Sequence, residues 1–391
     1  MYDIDILSDR INNIKAKQKY IFEKSIDKDI LKKFIEVILK IGKKTKFIIK
    51  GSRALNKLLK SKIFPVEEEL YKDFDILSVN PVEDIKLLHE ELTKEKIIYR
   101  VVQSQFKESL YTVRLADIFE LGLVDLIQIS EEIYNIIPTY TINGVKYVSP
   151  EFYKVDAYSI LSKYTDQNIN FNHIEKTAPR ISIVEKEFPY KKKQLIKTVN
   201  IKNICDKIID KIKNTHILIT GVYAYNKLIE PVNVPYLEVF INKRKQKIIE
   251  VLISSELKQL GIKYNIVTYN KFGEMLNKFK VYMVDNKPLL FIYELVECIS
   301  YIEKNNIKYS SYYHLMNYFN LTKFINKIHN IYVDNNEYFL NKLNKKTQIF
   351  KPICTGEFNA GLADHQYLVF NKDTKESEIN KYLTNRYDIE K

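Results

Sequence analysis

Two stretches lying 170 residues apart read as the same segment. Residues 48–59 and 217–229 each begin with a short apolar run, turn at a glycine and continue with apolar residues at helical spacing. The shared positions are Ile49/Ile219, Gly51/Gly221, Ala54/Ala224, Asn56/Asn226, Lys57/Lys227 and Leu58/Leu228. A short run such as Phe47-Ile48-Ile49 is a buried strand, and Ala54, Leu55, Leu58 and Leu59 mark a helix face. A strand–turn–helix unit met twice implies a duplicated domain. Each copy would be a small mixed sheet with packed helices, an α+β (mixed α/β) architecture.

Later elements extend the duplication. After the first copy comes a strand at 73–77, and after the second a strand at 235–241. Asn143-Gly144 within 139–148 is a hairpin signal. Its expected counterpart is the hairpin 281–291, turning at Asp285-Asn286 and followed by a helix at 293–303, as a helix at 150–164 follows the first. A helix at 20–42, another starting at Pro81, strands at 97–103 and 110–118, and a Tyr- and Phe-rich core helix at 312–332 complete the pattern. With 391 residues the chain has room for two or three domains. The boundaries expected are 1–188, 189–344 after a linker starting Pro189-Tyr190-Lys191-Lys192-Lys193, and a C-terminal extension 345–391 without assignable chemistry.

The first copy carries chemistry that the second lacks. Residues two apart on a strand share a face, so Asp73 and Asp75 point one way while Phe74 and Ile76 are buried on the other. Neighbouring carboxylates raise each other's pKa unless a cation lies between them. Carboxylate oxygens suit Mg²⁺ and Mn²⁺. Gly51-Ser52 precedes a helix N-terminus, where free N–H groups and the dipole favour phosphate. Asp125, a lone charge in the apolar strand 121–129, is the third carboxylate such a site needs; the structural alternative is a salt bridge to Arg114. Asp117 and Glu120 are runner-up candidates. In the second copy Val222 replaces Ser52, Tyr236 replaces Asp73, Glu238 matches Asp75 at best, and the strand at 264–268 offers no carboxylate for Asp125.

A formal net charge of +13 fits an acidic partner such as nucleic acid, although the Lys- and Tyr-rich composition also follows from AT-rich coding. Basic runs at Lys191-Lys192-Lys193 and 243–247 are candidates for phosphate contacts, with tyrosines among them to stack on bases. Lys176 and Arg180, four apart on one helical face, could hold a nucleoside triphosphate or an RNA backbone. Cys205, Cys298 and Cys354 form no metal-spaced pair, which argues for a reducing compartment. The amino terminus lacks a signal-peptide pattern, and 288–302 is too short and too acidic to span a bilayer. A soluble, intracellular protein with no membrane partner is expected.

With Gly51-Ser52, then Asp73/Asp75, then Asp125, the chain resembles the DNA polymerase β-like nucleotidyltransferase superfamily. The Gly-Ser-x-Ala-x-Asn-x-Leu wording and the degenerate second half look most like the poly(A) polymerase catalytic subunit of large cytoplasmic DNA viruses, the poxvirus and giant-virus type. That resemblance implies two tandem nucleotidyltransferase-like domains, the second degenerate. It implies a template-independent adenylyltransferase adding AMP from ATP to RNA 3′ ends, acting in the host cytoplasm or virion. Asp73, Asp75 and Asp125 would be catalytic and hold two Mg²⁺ or Mn²⁺ ions. Gly51, Ser52, Lys57, Lys176 and Arg180 would contact the nucleotide. Association as a homodimer, or with a processivity subunit, is implied too. Competing expectations are a nucleotidyltransferase making oligoadenylate or a cyclic dinucleotide, and a non-catalytic RNA-binding scaffold.

Overall fold

The computed structural model describes residues 28–104, 110–115, 122–162, 171–272, 275–295, 299–343, 351–353, 366–371, 373–375 and 377–378. The chain divides into two compact units, residues 1–153 with 362–391, and residues 154–361.

The first unit opens on helix α1 (Lys28–Gly42). Its buried stripe, Leu31, Phe34, Ile38 and Ile41, recurs every three or four residues. At Gly42 an added Cβ would stand 2.4 Å from the Phe47 ring, so the helix ends where the strand behind it needs room. Then come β1 (Phe47–Lys50), α2 (Gly51–Leu58), β2 (Phe74–Ser78), α3 (Pro81–Lys94), β3 (Tyr99–Ser104), β4 (Leu110–Leu115), β5 (Gly122–Gln128), α4 (Glu131–Ile136), β6 (Thr139–Ile142) and β7 (Val145–Val148). The strands order as β3-β4-β5-β2-β1-β7-β6. The sheet is mixed: β1 is antiparallel to β2 and parallel to β7, while β2 is parallel to β5. Its inner face, including Ile49, Phe74, Ile76, Val113, Val124 and Leu126, packs with α1 and α3 in one core.

Helices α5 (Pro150–Ser162) and α6 (Phe171–Glu187) lead into the second unit. Residues 189–201 have no regular structure, yet they are not a loose linker. Tyr190 is buried, and the Lys191 N–H donates to Glu337 Oε2 at 2.9 Å. The expected boundary at 188/189 therefore lies within the second compact unit. Buried Lys154 ties 154–190 together, donating to the Phe188 carbonyl and standing 3.7 Å over the Tyr190 ring.

The remaining elements are α7 (Lys202–Ile212), β8 (Ile217–Ile219), α8 (Gly221–Leu228), β9 (Leu237–Ile241), α9 (Gln246–Gln259), β10 (Asn265–Tyr269), β11 (Phe279–Val284), β12 (Lys287–Glu294), β13 (Ile299–Lys304), β14 (Ile307–Ser310), α10 (Tyr312–His329) and α11 (Asn336–Leu343). Their strand order, β10-β11-β12-β9-β8-β14-β13, repeats the first sheet strand for strand. The parallel and antiparallel pairings repeat as well: β8 with β9 antiparallel, β9 with β12 and β8 with β14 parallel.

This topology confirms the duplication and corrects its later part. The hairpin β11–β12 does turn at Asp285-Asn286, but its counterpart is β4–β5, because β12 runs beside β9. The counterpart of β6–β7 is β13–β14, turning at Asn305-Asn306 with both residues at positive φ. There is accordingly no helix among the described residues of 293–303. The segment 345–391 supplies two strands: β15 (Lys351–Ile353) extends the second sheet at β13, and β16 (Gln366–Asn371) extends the first at β3. Asp117, Glu120, Cys298 and Cys354 lie outside the described residues.

Candidate active site

The ladder between β2 and β5 sets Asp75 directly opposite Asp125. Opposed residues share a face of the sheet, and their neighbours Phe74, Ile76, Val124 and Leu126 are buried on the other. On the far side of β2, Lys50 is opposite Asp75. Asp73 stands exposed just ahead of the strand.

The turn between β1 and α2 is shaped around Asp75. Gly51 has φ +67°, and a Cβ there would meet Asp75 Oδ2 at 2.0 Å. No L side chain fits such a position without moving the carboxylate. Glycine thus lets the helix N-terminus and the carboxylate touch. Ser52 is buried at the first turn of α2.

Asp125 is held by Thr112, whose hydroxyl donates to Oδ1 at 2.7 Å. The two residues are opposite each other in the β4–β5 ladder. Burial raises the Asp125 carboxyl above its ordinary range and Thr112 opposes this; the charge of Asp73 raises it further, while Arg114 and Lys50 lower it. The charge of Arg114 thus contributes, while the hydrogen bond given to Asp125 comes from Thr112. Among the described residues, no group of three or more His, Cys, Asp or Glu side chains is gathered closely enough to hold a metal ion. The structure brings Asp75 and Asp125 into register and puts Asp73 within electrostatic reach of Asp125.

Lys57, on α2, has Nζ 3.7 Å from Glu69 Oε1. Lys176 and Arg180 lie on α6, in the second compact unit. Of the basic runs, Lys193 pairs with Asp334 at 3.0 Å and Lys243 with Glu294 at 3.7 Å.

The second unit shows what the same geometry becomes without the chemistry. Register places Glu238 where Asp75 is, Tyr236 where Asp73 is and Phe291 where Asp125 is. The position matching Asp125 is thus on β12, not in the strand at 264–268. Glu238 is fully buried, accepting from the Val222 N–H at 2.8 Å and from the Tyr318 hydroxyl. Burial raises its carboxyl to about 7 against the pull of those two donors. The N–H matching that of Ser52 is therefore already bonded to an internal carboxylate.

Residues 32–167 match the family described as the poly(A) polymerase catalytic subunit. This part of the chain is similar to that family. A candidate poly(A) polymerase catalytic subunit of African swine fever virus (strain Badajoz 1971 Vero-adapted) is 27% identical over 209 residues, which are 51% of this chain and 41% of that protein. Its counterpart from isolate Pig/Kenya/KEN-50/1950 is 26% identical over the same length. The match thus spans about two fifths of the length of these curated relatives. The crystal structure of the Megavirus polyadenylate synthase superposes with a TM-score of 0.74 at 18% identity, covering 97% of this chain and 88% of that one. The two-sheet fold is therefore shared with that enzyme across nearly the whole chain.

Within residues 32–167, sequence reasoning passed over three residues that shape the site: Lys50, Thr112 and Arg53. Arg53 is buried, and its Nε donates to the carbonyls of Lys72 at 2.9 Å and Asp73 at 3.1 Å. Burial lowers its guanidinium to about 10, with Glu69 and Asp73 opposing. Alternation along β4 identified the strand, and adjacency to Asp125 was the missing signal for Thr112. Nothing local marks Arg53, because its partners lie 19 and 20 residues onward. Among the described residues no helix is long and apolar enough to cross a membrane.

Proposed function

We propose that the chain is a template-independent polynucleotide adenylyltransferase that adds AMP from ATP to RNA 3′ ends. The observation that carries this reading is the in-register pair Asp75/Asp125 with Gly51 against Asp75. It sets two carboxylates beside a helix N-terminus, the pairing that nucleotidyl transfer needs.

Asp73, Asp75 and Asp125 are the residues that would hold Mg²⁺ or Mn²⁺. The donors are all hard carboxylate oxygen, and a bound cation would have to draw the three together, since as they stand they do not enclose an ion. Bound cations would neutralise these carboxylates and polarise the phosphate under attack. The N-terminus of α2 at Gly51-Ser52 receives the β- and γ-phosphates through its backbone N–H groups. Lys57, on α2, is the cationic side chain assigned to the nucleotide within the first unit. With Oδ1 of Asp125 taken by Thr112, Oδ2 is the oxygen that would accept the proton of the RNA 3′-hydroxyl as the hydroxyl oxygen bonds to the α-phosphate of ATP and the bond to the β-phosphate breaks, releasing pyrophosphate.

Association with a second copy or a processivity subunit, and a place of action in the host cytoplasm or virion, belong to the same proposal. The test is primer extension with an oligo(A) RNA, each NTP supplied separately with Mg²⁺ or Mn²⁺. Stepwise elongation with ATP is expected. Cyclic or primer-free products, or no turnover, would overturn the reading.

A further inference from the structure

Among the described residues of the first unit, Arg53 is the most deeply buried cation, yet it donates no hydrogen bond to the Asp75–Asp125 pair. Only 4% of it is exposed, and its Nη1 stands 3.8 Å from the nearest Glu69 oxygen. Its hydrogen bonds go to main-chain carbonyls instead. Nε reaches those of Lys72 and Asp73, and Nη2 donates to Lys72 as well. The guanidinium carbon lies 3.8 Å from the centre of the Phe74 ring. Burying a guanidinium away from water is costly unless its donors are used. Here they are used on the two residues that lead into β2, and Phe74 supports the plane from beneath. One planar group therefore grips three consecutive residues, 72 to 74, with Asp73 in the middle.

The second unit supplies an independent comparison within the same chain. At the position of Arg53 it has Tyr223, whose hydroxyl donates to Asp206 on α7 and not to the lead-in of β9. At the position of Asp73 it has Tyr236. The guanidinium and the carboxylate are absent together, although the strand–glycine–helix turn is retained.

We propose that Arg53 is a positioning residue that clamps the backbone at Lys72–Asp73 and so fixes where the Asp73 carboxylate stands at the entry to β2. It touches neither nucleotide nor RNA in this role. The geometry stands by itself; the consequence for cation binding rests on the proposed function.

Arg53→Lys in the full chain tests it, because an ammonium keeps the charge but cannot bridge two carbonyls and lie flat on a ring. Backbone amide exchange across residues 66–75 is expected to speed up roughly tenfold, with β8 and β9 unchanged. Mn²⁺ affinity, read by electron paramagnetic resonance, is expected to fall roughly 10–100-fold. Adding Arg53→Lys to Asp73→Asn should cost little further, since both act through one side chain. A guanidinium that merely filled the core would lower stability, leave Mn²⁺ affinity alone and add in full to Asp73→Asn. Unchanged exchange at 66–75, or full additivity, overturns the clamp. If Arg53→Lys does not fold, Phe74→Leu removes the support under the guanidinium and is judged by the same measurements. A wild-type chain that takes up no Mn²⁺ overturns the proposed function, and the exchange result still decides the clamp.

Discussion

Gly221 and Glu238 are in contact at the strand-to-helix turn of the second unit: a Cβ on Gly221 would lie 1.6 Å from Glu238 Oε2. Gly51 and Asp75 stand in the same relation at the first. The longer side chain of Glu238 reaches one step further and binds the N–H at the start of α8. Around it, the Tyr293 hydroxyl meets those of Tyr318 and Tyr332, each at 2.8 Å. The turn of the second unit is thus closed and internally satisfied. Buried polar groups that are fully bonded in this way specify a core without requiring a ligand.

That closure has a measurable pH signature. Burial raises the Glu238 carboxyl from an ordinary 4.5 to about 7. A folded-state pKa above the unfolded one means that the native chain binds the proton more tightly. The contribution of Glu238 to stability is therefore greatest below pH 4.5 and is lost as pH rises towards 7. Its size is on the order of 3 kcal/mol. Urea denaturation at pH 5 and pH 8 should show the loss, and Glu238→Gln, which cannot ionise, should shrink it. An equal pH dependence in both proteins would exclude Glu238 as the source.

Gly51 and Gly144 both have positive φ, at +67° and +80°, but in different surroundings. An added Cβ at Gly144 meets only Lys43 Cγ, at an ordinary 3.5 Å. Gly144→Ala should cost about 1–2 kcal/mol of backbone strain and leave AMP incorporation unchanged. Gly51→Ala carries the same strain and also drives into Asp75. It should reduce incorporation to background in a protein that still folds. Comparable activity in the two variants would show that the contact with Asp75 is incidental.

The sequence was legible where a signal was local. The run Phe47-Ile48-Ile49, the glycine turn and the alternation through Asp75 predicted β1, α2 and β2, and the repeat at 217–229 predicted a second sheet. Legibility ended where pairing was distant. Asp285-Asn286 and Asn305-Asn306 are both tight turns at positive φ, and nothing local says which hairpin lies next to the founding strand. That is settled by β14 aligning with β8, about 90 residues away, through Tyr309 opposite Ile219. Arg53 was hidden for a similar reason. A buried charge satisfied by main-chain carbonyls leaves no side-chain pattern to read.

Thr112→Val removes a hydroxyl donor and nearly keeps the shape. Thr112 is buried and its partner is Asp125 Oδ1, so the loss leaves an acceptor without its donor. Supporting partners of reactive carboxylates typically cost roughly 10–100-fold when removed. Primer extension should fall by that order, while the thermal midpoint moves by a few degrees at most. Thr112→Ser, which keeps the donor, should recover most of the rate. Failure of Ser to rescue would mean that the methyl group, not the hydroxyl, matters at this position.

Asp73→Asn and Asp75→Asn test the centre of the site. Each keeps volume and removes a charge, so repulsion with Asp125 is relieved and the fold should survive or gain slightly in stability. Asp75 is the stricter case, since its carboxylate is the group that Gly51 admits and Asp125 opposes. AMP incorporation should fall by more than the 10–100-fold loss typical of supporting residues, given as a rough range. Mn²⁺ binding should weaken in parallel, because the same oxygens would serve both. Full activity in either variant would remove that aspartate from the mechanism. Stable binding of Mn²⁺ with activity lost would instead separate holding the cation from the transfer step, and leave the carboxylate's role to orientation of the attacking hydroxyl.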